Sequence, residues 1–105
     1  MDIPSSVTIK YFKTFTGKFI PFRPAGEITK EQTVTLDAYY IATFEGKQLK
    51  SFEKILNEHR EWLDEYTYWP GSNKLRHRRM EKADGSIVEQ EYNRRGRFVR
   101  DIQQE

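Results

Sequence analysis

Three glycine-containing turns, each preceded by an aromatic residue, recur at a fixed interval. That interval constrains the fold of this chain more than any other feature. Phe44-Glu-Gly-Lys-Gln-Leu49 is followed 24 residues later by Tyr68-Trp-Pro-Gly-Ser-Asn-Lys-Leu75, and after another 24 by Tyr92-Asn-Arg-Arg-Gly-Arg-Phe98. Each unit has an aromatic residue, a turn with glycine, and an apolar residue opening the next run. Internal periods of this size mark repeated supersecondary units. Other turns punctuate the same region. ADGS carries Asp84-Gly85, a strong hairpin dipeptide, and KLRHRRMEK, SIVEQEY and RFVRDI are each short enough for one strand.

The N-terminal part also reads as strands. VTIKYFKTF alternates, with Val7, Ile9, Tyr11 and Phe15 on one side, and after TGK comes FIPF, so residues 1–24 are expected to form a hairpin. Pro21 cannot donate to a ladder, which makes FIPF an edge or bulged strand. Residues 25–33 read as a loop, and 34–102 as a meander. TVTLDAYYIATFE opens it, with Val34, Leu36, Ala38, Tyr40, Ala42 and Phe44 on one face of an expected central strand.

The stretch EYTYWPGSNKLRHRRMEKADGSIVEQEYNRRGRFVRD resembles the YD-type repeats of Rhs proteins and the MORN-variant repeats of small bacterial proteins. KYFKTFTGKFIPFRPAG with FEK resembles a group of short bacterial proteins that carry such units. The likeness covers about residues 40–100. It implies β-hairpin repeats and an interaction, adaptor, inhibitor or immunity role. Trp69 and Asn93 stand where the Asp of the Tyr-Asp pair would be, and three units are too few for the shell of a long array. The family activity is therefore not carried over.

Residues 47–68 are where two readings compete. Leu49, Phe52, Leu56, Trp62, Leu63 and Tyr66 lie near helical spacing in a run without Gly or Pro, which by itself favours an amphipathic helix. The equivalence with KLRHRRMEKADGSIVEQEY favours two strands split at Asn57-Glu-His-Arg60, the second with Trp62, Tyr66 and Tyr68 on one face. The expected fold is all-β, an antiparallel meander of about seven or eight strands. The alternative is α+β with one helix near 47–66.

Composition sets the limits on function. Among 105 residues 36% are hydrophobic and 32% charged, so the core depends on the 7 Phe, 6 Tyr and 2 Trp. The absence of cysteine excludes disulfides and thiolate chemistry. MDIPSS opens without the apolar region of a signal peptide, and the longest apolar run is about five residues, far short of a membrane span. These point to a cytoplasmic protein without a membrane partner. Net charge is +2 but uneven: residues 1–70 hold 9 Lys and Arg against 10 Asp and Glu, and residues 71–105 hold 9 against 6.

Two surfaces are candidates. Arg76, Arg78, Arg79, Arg94, Arg95, Arg97 and Arg100 form an anion or single-stranded nucleic-acid face if their strands are neighbours, with aromatics close by for stacking. Glu81, Glu89 and Glu91 would neutralise much of it through cross-strand pairs. Tyr39, Ile41, Trp62 and Trp69 form a candidate aromatic interaction surface, with core packing the competing reading. His59 and His77 lack metal-ligand spacing, no glycine-rich phosphate loop is present, and nothing marks Asp64-Glu65 or Glu89 and Glu91 as buried acid–base groups. No catalytic residue, metal or cofactor is therefore expected. The function expected is protein binding or self-association through a sheet face or edge, with nucleic-acid or polyanion binding as the alternative.

Overall fold

The computed structural model describes residues 7–102. MDIPSS, read above as lacking a signal peptide, lies outside them. Turn chemistry divides the chain into β1 (Val7–Thr16), β2 (Arg23–Ile28), a 3-10 turn at Glu31–Thr35, β3 (Ala38–Glu45), β4 (Gln48–Leu56), β5 (His59–Tyr68), β6 (Leu75–Lys82), β7 (Ile87–Tyr92) and β8 (Phe98–Ile102). All pairings are antiparallel, in the order β2-β1-β3-β4-β5-β6-β7-β8. The fold is the expected meander, and residues 47–66 are strand rather than helix. No helix among the described residues is long and apolar enough to cross a membrane.

The split of the 47–68 segment has a visible cause. Asn57 and Glu58 adopt φ of 50° and 69°, so the pair makes a tight turn with both residues left-handed, the geometry that matches strand twist. Helical spacing in the sequence came from bulges. Phe44 faces Leu49 and Thr43 faces Ser51, leaving Lys50 as the extra residue. One inserted residue places Leu49 and Phe52, three apart, on the same face.

The inner face is built around Phe52, which is fully buried. Its ring centroid lies 5.5 Å from Phe15, 5.5 Å from Tyr40, 5.8 Å from Trp62 and 6.4 Å from Phe22. Phe15 ends β1, and Phe22 belongs to the 17–22 connection. This connection lies across the face, its Phe22 ring meeting β4, β5 and β6. A sheet with no helix to cover it thus uses its own first hairpin as cover. Burying an aromatic side chain of this size stabilises by roughly 1.5–3 kcal/mol, so the cluster supplies much of what a charge-rich chain can gather.

Three expectations are corrected. FIPF is not the second strand of the first hairpin. It forms the covering loop, with a cis Ile20–Pro21 peptide, and β2 comes from Arg23–Ile28, which overlaps the 25–33 stretch read as a loop. Pro24 and Gly26 suggest a loop, but both are tolerated on an edge strand, and Gly26 takes a φ of 73° that other residues resist. The strand read from Val34 begins at Ala38. Val34 lies in the 3-10 turn and is 83% exposed. The side of β1 is also reversed over its first part, where Phe12 is buried and Val7 and Ile9 are more than half exposed, although Phe15 packs inside. Phe12 stands opposite Tyr40, so the stripe on β3 fixes the register and turns Tyr11 outward beside Ile41.

Replacing Glu58 by glycine should stabilise the protein by roughly 0.5–1 kcal/mol, because an L-residue at positive φ is strained and glycine is not. The measurement is the urea midpoint. A lower midpoint would contradict the turn geometry.

Candidate functional site

On β5 the alternation places Trp62, Asp64, Tyr66 and Tyr68 on the inner face. Asp64 is therefore a carboxylate at an apolar position, and it is fully buried. Its partner across the ladder is one pair along: Tyr66 faces Arg78, itself only 8% exposed. Arg78 Nε donates to Oδ1 at 2.9 Å and Oδ2 at 3.0 Å of Asp64. Tyr66 Oη donates to Asp64 Oδ2 at 2.7 Å and accepts the Phe22 amide N–H at 3.3 Å. The chain continues outward. Arg78 Nη1 and Tyr92 Oη both donate to Gln90 Oε1, at 3.1 and 2.9 Å, and Gln90 Nε2 donates to Asp101 Oδ1 at 3.2 Å. Across β5–β8 the inner face thus carries a polar chain among its buried apolar residues Leu75, Met80 and Tyr92.

Burial pushes the Asp64 carboxyl above the usual carboxylate range, while Arg78 and the Tyr66 hydroxyl pull it back. Burial also pushes the Tyr68 hydroxyl up to about 12. Among the described residues no buried side-chain nitrogen or oxygen lacks a partner. Asp64 is fully buried and bonded on both oxygens by its own fold, so its carboxylate is not presented at the surface. Asp64 and Arg78 join strands; they do not face a ligand. The reading that nothing marks Asp64 as buried is corrected here: its position between Trp62 and Tyr66 was the mark.

The outer face carries the opposite pattern. Arg79 lies between Glu65 at 3.7 Å and Glu81 at 3.6 Å, His77 Nε2 is 2.7 Å from Glu89 Oε2, and Arg100 Nε donates to Glu91 Oε1 at 2.6 Å. Partly exposed pairs like these each contribute about 0–1 kcal/mol. Their main effect is to cancel charge. Of the seven arginines, Arg78 is inside and Arg79 and Arg100 are paired. Arg76, Arg94, Arg95 and Arg97 remain, all exposed and all at the turn end of β6–β8.

Bulges assemble that end. Ladder irregularities fall at Thr43/Phe44, Thr67/Tyr68 and Glu91/Tyr92, leaving Lys50, Arg76 and Val99 as the extra residues. A bulge re-aims its side chain. Lys50 lies 5.6 Å from the Tyr68 ring centre, and Arg76 lies 5.0 Å from that of Trp69, which Arg94 approaches to 4.7 Å. The turns are also bonded to one another across 24 residues, Gln48 Nε2 donating to Ser72 O at 2.7 Å and Trp69 Nε1 to Asn93 O at 2.8 Å. Asn93 Oδ1 accepts the amide N–H groups of Arg95 and Arg97, which fixes the last turn. Beside it lies an open groove of about 520 Å³, with Trp69, Arg76 and His77 on one side and Val99 and Ile102 on the other.

The aromatic candidates do not form one surface. Trp62 packs inside against Phe15, Phe22, Tyr40 and Phe52. Tyr39 and Ile41 are half-buried on the outer face of β3, where Tyr39 meets Tyr11, and Trp69 belongs to the groove. Val99 and Ile102 were not singled out in the sequence, and Asn93 was noted there only as standing in place of the Asp of the Tyr-Asp pair. The doubled arginine after Asn93 was visible, but the bulge that turns Val99 outward leaves no mark. Among the described residues no group of three or more His, Cys, Asp or Glu side chains could hold a metal ion.

A double-mutant cycle tests the buried pair. Asp64→Leu or Arg78→Met alone should cost about 3–5 kcal/mol, since each leaves a buried charge unpaired. The combined Asp64→Leu, Arg78→Met protein should lose much less than the sum of the single losses in urea unfolding. Additive losses would mean that the two do not form one unit.

No family model matches this chain, and neither a curated protein nor a solved structure is found to be similar to it.

Proposed function

We propose that the protein is a non-enzymatic binding protein that docks an extended segment of a partner protein along β8. The observation that carries this reading is the inequality of the two sheet edges. Exposed edges offer unpaired N–H and C=O groups to any passing strand, and proteins usually blunt them. β2 is blunted, because Pro24 has no N–H and Gly26 breaks the extended line at φ 73°. β8 contains neither proline nor glycine, and it carries Phe98 at 54% and Val99 at 53% exposure. Among the described residues nothing pairs with its outer side. At the other edge Val7 and Ile9 of β1 are equally exposed, outside the β1–β2 pairing, so what sets β8 apart is a whole edge strand without proline or glycine. Strand addition uses such an edge directly: main-chain hydrogen bonds give affinity and alternate side chains give selectivity. Adaptor, inhibitor and immunity-like roles all fit this docking mode, as does pairing with a second copy.

The test is selection of random peptides on the immobilised protein, followed by amide spectra of the complex with the strongest binder. Shifts should concentrate in residues 98–102. N-methylation of alternate residues on one side of that peptide should weaken binding at least tenfold, and methylation on the other side should have little effect. Binding that tolerates both methylation patterns, or shifts confined to other strands, would overturn the proposal.

A further inference from the structure

The groove beside β8 bears on what the docked segment is made of, and this step rests on the edge-docking reading above. We infer that the groove receives an acidic segment with an apolar anchor, its carboxylates held by Arg76 and Arg94 and its anchor seated against Val99 and Ile102.

Three observations lead there. The first is charge that the fold leaves unused. Arg78, Arg79 and Arg100 each meet a carboxylate of this chain, whereas Arg76 and Arg94 meet none among the described residues. The second is how these two are held. Each guanidinium lies over the Trp69 ring, and Trp69 is itself fixed by its bond to Asn93 O. A guanidinium stacked on an aromatic ring keeps its in-plane N–H groups free, and those suit a carboxylate in bidentate fashion. Holding the side chain beforehand also lowers the entropy lost on binding. The third is the opposite wall. Val99 is the bulged residue of β8, half exposed and turned into the groove, with Ile102 behind it. The volume of about 520 Å³ suits one or two side chains rather than a whole chain segment.

The same features disfavour a nucleic-acid strand. Two guanidiniums already lie against Trp69, so a stacking base would have to displace one of them. Glu91 also lines the groove and bears on any anionic ligand, peptide or nucleic acid alike; its bond with Arg100 offsets that charge.

The experiment titrates the full chain with a synthetic peptide alternating Glu with Leu. Parallel titrations use peptides with Gln or Lys in place of Glu, and a thymidine oligonucleotide of equal charge. Amide spectra and the Trp69 indole resonance are followed at two salt concentrations. The Glu peptide should move Trp69 and residues 98–102, bind at least tenfold more tightly than the Gln peptide, and weaken with salt. Arg94→Gln and Arg76→Gln should each reduce its affinity at least tenfold with the urea midpoint unchanged. Equal binding of Gln or Lys peptides at β8 would overturn the acidic preference and leave edge docking standing. Failure of every peptide to move residues 98–102 would overturn both readings. Salt-sensitive oligonucleotide binding that is lost in Arg94→Gln, with no peptide binding, would also overturn both and make this end a nucleic-acid surface.

Discussion

A buried ion pair at the centre of a single sheet holds this protein together in an unusual way. Asp64 and Arg78 stand where apolar residues would normally be, and desolvating two charges costs several kcal/mol each before their attraction is counted. The structure offsets that cost with a chain of hydrogen bonds through both carboxylate oxygens, the Tyr66 hydroxyl, Gln90 and, through it, Tyr92 and Asp101. Tyr66 also accepts the Phe22 amide, and the Arg78 guanidinium lies 5.2 Å from the Phe22 ring centre. The loop that covers the aromatic cluster is thereby tied to the pair that closes the remainder of the inner face. One half of the sheet is closed by aromatic packing, the other by a hydrogen-bonded chain set among Leu75, Met80 and Tyr92, with Phe22 touching both.

That division explains which parts of the architecture the sequence revealed. Strand number and the order from β3 to β8 follow from turn chemistry, with Asn57-Glu58, Asp84-Gly85 and the spaced Gly turns all legible, whereas nothing in the turns places β1 rather than β2 beside β3. The 47–68 segment has local helical spacing because of the bulge at Lys50 and because Leu63 and Ile55 fill the outer face; the repeat, not the local pattern, pointed to strands. The covering role of FIPF was not legible. Nothing local distinguishes an apolar loop that folds over a sheet from an edge strand, and the difference arises from contacts with β4–β6. The reversed face of β1 has the same origin, since the partner strand sets register.

The candidate site was legible in part. The arginines were visible as a set, and the carboxylates that could cancel them were visible too. Which ones cancel depends on strand pairing: Arg78 falls inside with Asp64, and Arg79 and Arg100 meet glutamates. What survives is a smaller cluster around Trp69, brought together by a bulge at Arg76 and by a turn that Asn93 fixes. Bulges thus shape both the fold and the candidate site. They keep hairpin ends in contact with their neighbours and turn Arg76 and Val99 toward the groove.

Native-state hydrogen exchange tests this picture most directly, because it compares the closed centre with the open edge in one experiment. Amides of β4, β5 and β6 should exchange only through global unfolding, with one shared free energy that falls when Asp64 is replaced. Amides of β8 should exchange through local opening at a much lower free energy, as expected of an unpartnered edge. Protection of β8 equal to that of β5 would contradict the account, as would central strands that open independently of one another.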